Sequence, residues 1–575
     1  MQKKILLTFF YILIYSILYS QDTIYPTTYF ISPVGKNMLV SGNFAELRLN
    51  HYHSGIDLRT KGAIGEEIYA AADGYVSRIN ISPWGYGNAL YITHPNGYKT
   101  VYGHLNNFSE TIKEYAESKQ YALEQFAVNL YLGKEDLVVK QGDVIGYSGN
   151  TGRSYGPHLH FEIRETENDE PYNPFLFFTK VLDNIKPEIF TLAIYPFNDT
   201  SFVDKTNAKK IISVAGSNGK YTISNNDIEV YGKIIFGVEA YDYLNSVGNR
   251  NAVYSIDLYV DDTLIYSHKM DKFLFSESRF INSMVDYKER ITSEKRIQRS
   301  YIAPNNLLNS YTFSKDKGIF TFTDDKKHQI KYIIKDIKGN SSELKFSVKS
   351  VSEISSTIKY KNIKTDYTML MPYNVDNYYI TNDLRISVYK KCLYENLYFY
   401  YSKTKSDSKY SDIHNIHNQY TPLHSSMTIS INAEKVPEKY IDKAIIARKN
   451  DDDEISNCGG KNINGFITAK SNKFGSFYIL VDTVAPVIKA VNISKGVKKT
   501  SGDLISFKVT DNLSGLETYD GYIDNKWILF KFDGKNDLVY YECDKNITKG
   551  EHNLIFIVKD ERGNQNTFST TFYYN

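Results

Sequence analysis

Gly156-Pro157-His158-Leu159-His160-Phe161-Glu162-Ile163-Arg164 is the stretch from which this chain is best read. Its alternation predicts a β-strand, on which every second side chain shares a face. His158, His160, Glu162 and Arg164 then line one surface, while Leu159, Phe161 and Ile163 point into a core. A Gly-Pro turn opens the strand, so two imidazoles are presented side by side on a rigid element. An isolated His-x-His fits metal ligation and an ordinary polar strand face alike.

Two upstream motifs shift that balance. Asn50-His51-Tyr52-His53-Ser54-Gly55-Ile56-Asp57 places a histidine and an aspartate four apart, facing one way on an extended strand. Thr100-Val101-Tyr102-Gly103-His104-Leu105 adds a histidine in a β-prone run. Imidazole and carboxylate are zinc donors, and a catalytic zinc takes three protein ligands with a fourth position for water. His53, Asp57 and one histidine of the His158/His160 pair supply three. His104 and the other member of the pair remain for proton transfer.

The order His-x-x-x-Asp, Tyr-x-His-Leu, Gly-Pro-His-Leu-His-Phe-Glu resembles the lysostaphin-type (LytM-like) zinc endopeptidases, built on the duplicated hybrid motif. Gly85-Tyr86-Gly87-Asn88-Ala89-Leu90-Tyr91 and Val144-Ile145-Gly146-Tyr147-Ser148-Gly149-Asn150 also match that pattern. The resemblance spans roughly residues 35–178. It implies that His53, Asp57 and His160 bind Zn2+, and that His104 and His158 do the acid–base work. The implied activity is hydrolysis of peptide cross-links in peptidoglycan, with zinc-activated water as nucleophile. Which of His104 and His158 is the general base stays open. Glu162 reads equally as support for a ligand or as a solvated carboxylate at the rim.

Other histidines read as structural. His51 shares the face of His53 but stands off the family position. His94, before Pro95-Asn96-Gly97, marks a strand entering a turn. His414, His417 and His424 gather loosely near Asp412 without companion donors at zinc spacing.

The chain of 575 residues exceeds one ordinary core. With 68 basic against 66 acidic residues it offers no electrostatic case for nucleic acid. Its 42% hydrophobic content excludes general disorder, and its 50 tyrosines favour β structure. Three cysteines make no disulfide framework. At most one bridge forms, with Cys392–Cys458 the preferred pair. Two lysines followed by an apolar run of about 15 residues read as a secretory signal over 1–20, with an uncleaved anchor as the alternative. Export to the periplasm, cell envelope or medium follows, with membrane attachment only if the segment is retained.

The predicted architecture is mainly β. A peptidase domain over 21–180 carries a helical insertion near 109–130, with Ser109 as N-cap and Ile112, Tyr115, Ala116, Leu123 and Phe126 as its apolar stripe. Three Ig-like β-sandwich modules follow, over 181–350, 351–481 and 482–575, the middle one the least regular. Asp183-Asn184-Ile185-Lys186-Pro187 echoes Asp482-Thr483-Val484-Ala485-Pro486, and the turn Asp336-Ile337-Lys338-Gly339-Asn340 echoes Asp560-Glu561-Arg562-Gly563-Asn564. The modules are expected to act as spacers or wall anchors. Two other functions fit the same chain: a non-catalytic peptidoglycan-binding regulator of another hydrolase, and a zinc protease acting on proteins.

Overall fold

The structure is a computed structural model that describes residues 25–35, 38–178, 181–224, 227–245, 247–352, 366–407 and 409–575. The expected signal segment over 1–20 lies outside the described residues. In the N-terminal domain the decisive stretch is a strand, His158–Glu165, inside a nine-stranded sheet. Its neighbours are the strands Ile56–Arg59 and Tyr98–Leu105, both antiparallel to it. Register follows from the buried row: Leu159, Phe161 and Ile163 are fully enclosed, as the alternation requires. Each such apolar side chain contributes about 1.5–3 kcal/mol by leaving water. A one-residue slip would turn that whole row to the other face. The same register sets His160 opposite both Asp57 and Gly103, bringing the three sequence motifs together.

The opposite face is closed too. His160, Glu162 and Arg164 are almost as buried as the apolar row. A three-stranded sheet of Glu67–Tyr69, Val144–Tyr147 and Asn107–Phe108 completes the domain.

The insertion is an α-helix over Glu110–Leu123, followed by a strand, Val128–Tyr131, on the sheet edge. Ser109 holds the N-cap position without a side-chain cap bond, and its carbonyl accepts from Lys113 N. Leu123 departs from the expected stripe, being 54% exposed. Gln120 is buried in its place, because its amide donates to the Phe126 carbonyl at 2.5 Å where the chain leaves the helix. The outer end of the helix meets the last module. Tyr121 packs edge-on against Trp527 and accepts from Asn546 at 3.0 Å.

Beyond residue 181 the described chain is strand-rich, with separate cores over 189–348, 371–479 and 493–574. The first of these modules holds a 13-stranded sheet, larger than a simple Ig-like sandwich. Its excursion over 270–308 carries short helices that share a core with Phe44, Leu47 and Tyr52 of the N-terminal domain. All three cysteines are free, which corrects the expected Cys392–Cys458 pairing. The Cys392 thiol is instead engaged with the Ser425 carbonyl at 3.1 Å.

Candidate metal centre

Sequence spacing predicts His53 and Asp57 on one extended strand. The structure breaks that strand at Gly55, between His51–Tyr52 and Ile56–Arg59. A Cβ on Gly55 would lie 2.3 Å from the Phe161 carbonyl oxygen, so only glycine allows the backbone to approach the central strand here. His53 and Asp57 nevertheless converge, and His160 joins them. His53 Nε2, His160 Nδ1 and Asp57 Oδ1 form a triangle with all three sides 3.0 Å.

The outer ring nitrogens fix which atoms face inward. His53 Nδ1 donates to the Asn43 carbonyl at 2.7 Å, and His160 Nε2 to Glu162 Oε1 at 2.7 Å. A carbonyl or ionised carboxylate only accepts, so each neutral ring turns a lone pair into the triangle. Two lone pairs and a carboxylate oxygen within hydrogen-bond distance repel one another unless a cation lies among them. Donor atoms around a tetrahedral zinc stand about 3.3 Å apart, given ligand bonds of about 2.0–2.1 Å. The triangle therefore opens by only a few tenths of an ångström to receive one. The donor set fits zinc.

Electrostatics express the same demand. Burial pushes the Asp57 carboxyl up, but His53, His158 and His160 outweigh it and hold it well below the usual carboxylate range. Burial lowers His160, yet bonds to Asp57 and Glu162 win and raise it to about 8. Burial dominates at His53, which is lowered to about 4.

Residues 51–122 and 121–174 match peptidase family M23, and residues 368–482 match a Zu5-like domain. Residues 51–174 are a peptidase family M23 domain. The DD-carboxypeptidase/endopeptidase Mpg of Neisseria meningitidis serogroup B is 38% identical over 122 residues, which is 21% of this chain and 22% of that protein. The peptidoglycan DD-endopeptidase ShyA of Vibrio cholerae is 33% identical over 137 residues, 23% of this chain and 26% of that protein. The chain thus matches about a quarter of the length of these curated relatives.

Two more histidines stand beside the triangle. His158 Nε2 lies 3.4 Å from Asp57 Oδ1, and its Nδ1 is 2.8 Å from the Gly156 carbonyl. His104 Nδ1 is 2.8 Å from the Thr151 carbonyl. Each ring therefore donates outward through Nδ1 and presents a bare Nε2. The two rings sit edge to face with centroids 4.8 Å apart. His104 adopts φ +62°, an unfavourable backbone state for a non-glycine residue and one found often at functional sites. Burial first, then His160 and His158, lower its pKa to about 3, so this imidazole is neutral at pH 7.

Of the residues that hold the donors in place, sequence reasoning missed Arg48 and Tyr86 and left Glu162 open. Arg48 Nη2 donates to Asp57 Oδ2 at 2.6 Å, leaving Oδ1 for the centre. Glu162 is wholly buried, so it supports a ligand and is no rim carboxylate. Its Oε1 accepts from His160 Nε2, Ser54 and Tyr86, and its Oε2 from Arg164 Nε at 2.5 Å. Arg164 also lies over the Phe275 ring at 4.5 Å, a cation–π contact supplied by the first β module. The Gly85-Tyr86-Gly87 turn was the available signal for Tyr86. Partners of ligating histidines typically govern 10–100-fold in metal affinity. Glu162→Gln is accordingly expected to weaken zinc binding by about 10–100-fold, measured by competition with a chromophoric chelator.

The β modules are not remote from this centre. Asn43, whose carbonyl orients His53, exchanges two 2.8 Å hydrogen bonds with the Ala252 backbone. Lys535 of the last module donates to the carbonyls of Asn150 and Ser154, in the loop that orients His104 and His158. Beside His158 runs a groove lined by Leu39, Arg59, Lys61, Glu66 and Tyr155.

The remaining histidines stay apart from the triangle. His51 is exposed, with Nδ1 against the Leu49 carbonyl. His94 is buried between the Asp73 carbonyl and Thr100 Oγ1. His414 contacts Tyr401, and His417 packs on Phe399 and Phe474. None of His414, His417 and His424 joins a group of metal donors among the described residues.

Proposed function

We propose that this chain is a zinc-dependent endopeptidase that hydrolyses the peptide cross-links of peptidoglycan outside the cytoplasm. The observation that carries the reading is the triangle of His53 Nε2, Asp57 Oδ1 and His160 Nδ1 with two further bare imidazole nitrogens beside it. It lies in an M23 domain related to proteins named as peptidoglycan DD-endopeptidases. Export rests on the lysine-led apolar segment at the start of the chain. Among the described residues no helix is long and apolar enough to cross a membrane.

Zinc in that triangle would polarise the scissile carbonyl and bring the pKa of water down to about 7. The chain supplies the rest. Asp57 and Glu162 carry the negative charge that retains the cation, and each is ion-paired with an arginine, Arg48 and Arg164. His104 and His158 each offer Nε2 to take a proton from the attacking water and return it to the leaving amine. Their Nδ1 bonds to backbone carbonyls fix tautomer and ring plane, so neither ring must reorient before accepting. The adjoining groove gives an extended peptide a path past His158.

The test is digestion of purified peptidoglycan by the zinc-loaded protein, with mass spectrometry of the released fragments. A new amine and a new carboxyl at cross-links, lost on chelation, are expected. Intact peptidoglycan with zinc bound, together with cleavage of a protein substrate, would contradict the reading.

A further inference from the structure

The two sequence echoes meet in space in both modules. In the first, the turn between the strands Lys327–Lys335 and Ser341–Ser350 folds Asn340 onto Asp336 and onto the Asp183 carbonyl. A third carboxylate, Asp242, comes from the end of the long strand Ile228–Leu244. One carboxylate oxygen from each of Asp183, Asp242 and Asp336 lies within 4.8 Å of the others.

Asn340 serves both oxygens of Asp336 and Ile185 N serves Asp183 Oδ1, but the remaining acceptors of the cluster lack donors. Asp242 is 3% exposed, and its buried Oδ1 has no hydrogen-bond partner; Asp183 Oδ2 has none either. Asn251 stands directly opposite Asp242 on the neighbouring strand, so the two side chains share a face. Asn251 is 1% exposed, and its Oδ1 is likewise buried without a partner. Unpaired buried acceptors of this kind are rare and call for an explanation. The nearby Lys338 turns its ammonium to the Phe178 carbonyl at 3.3 Å. Burial beside Asp183 and Asp336 pushes the Asp242 carboxyl up to about 9, and burial raises Asp183 to about 6.

We propose that Asp183, Asp242 and Asp336, with Asn251 Oδ1, hold a calcium ion that ties the first β module to the segment leaving the peptidase domain. All the donors are oxygens, the hard-ligand set of calcium, with neither imidazole nor thiolate present. Calcium accepts irregular arrangements of six to eight oxygens, whereas magnesium demands near-ideal octahedral geometry. The location gives the ion mechanical meaning. Ile337, next to Asp336, and Leu244, two residues after Asp242, both pack into the core of the peptidase domain.

The last module has the same frame in a different state. Asp482, Asp511 and Asp560 also cluster, but backbone donors fill much of their capacity. Ser514 N donates to Asp482 Oδ2, and Leu513 N and Gly515 N to Asp511 Oδ2. Hydrogen bonding closes most of that frame; of its carboxylate oxygens Asp511 Oδ1 is left buried and bare, with Ser514 Oγ also unpartnered beside it. The proposal therefore concerns the first module.

Calorimetric titration of calcium chloride into the zinc-loaded full chain, in buffer cleared of calcium by resin, tests this. One calcium equivalent is expected in the native chain, lost in Asp242→Asn and kept in Asp511→Asn. Thermal unfolding supplies the second readout. Calcium should raise the midpoint of the native chain and leave that of Asp242→Asn unmoved. Should Asp242→Asn fail to fold, the half-exposed Asp183→Asn carries the same expectations. No calcium bound by the native chain, or equal binding by Asp242→Asn or Asp183→Asn, overturns the proposal.

Discussion

His158→Ala is expected to cut peptidoglycan hydrolysis by about 10²–10⁴-fold, the usual contribution of a positioned acid–base group, while zinc content stays at one per chain. His158 Nε2 approaches the centre only through Asp57 Oδ1, at 3.4 Å, and stands outside the 3.0 Å triangle. Its Nδ1 is spent on the Gly156 carbonyl and Ser154. Removing the ring therefore deletes a proton carrier and spares the three ligands. His104→Ala should do the same, and because the replacement still occupies a left-handed backbone state it relieves no backbone strain. Turnover with mass-spectrometric fragment analysis, paired with elemental zinc analysis of the same sample, separates lost chemistry from lost metal. Loss of zinc in His158→Ala would assign that ring to ligation instead.

Asp57→Asn should do the reverse and empty the centre. The carboxylate is the single point at which His53, His158, His160 and Arg48 all meet. An amide keeps the volume but removes the negative charge that makes the triangle attractive to a cation. It also offers N–H donors where lone pairs are needed. Partners of ligating residues already govern 10–100-fold in affinity, so loss of the one anionic ligand should exceed about 100-fold. Activity should vanish with the metal, and raising free zinc should restore it only partly. Arg48 keeps Glu46 at 3.4 Å, which limits the cost to folding.

Much of the centre was legible in the sequence because strand periodicity and register are local facts. Alternation in His158–Glu165 fixed which residues enter the core, and the core then fixed register against Ile56–Arg59 and Tyr98–Leu105. The break at Gly55 was not legible, since it answers a close approach of the Phe161 carbonyl from a distant part of the chain. Glu162 could not be assigned for the same kind of reason. Its burial depends on Ser54 and Tyr86, brought there by folding, and on Arg164 lying beneath Phe275 of another module. Leu123 left its expected stripe and Gln120 became buried because the chain leaving the helix offered Gln120 a carbonyl. The expectation of β modules as spacers or wall anchors took no account of Asn43 meeting Ala252, or of Lys535 reaching the Asn150–Ser154 loop. Such contacts link residues hundreds apart and leave no periodic trace.

In the proposed centre two imidazole lone pairs and one carboxylate oxygen hold the catalytic zinc while two other imidazoles face it. Diffraction data from the zinc-loaded protein, collected on either side of the zinc absorption edge, test it most directly. One anomalous peak is expected, bonded to His53 Nε2, Asp57 Oδ1 and His160 Nδ1, with the Nε2 atoms of His104 and His158 turned toward it but unbonded. A peak held through His158 in place of His160, or no peak in this pocket, would contradict it.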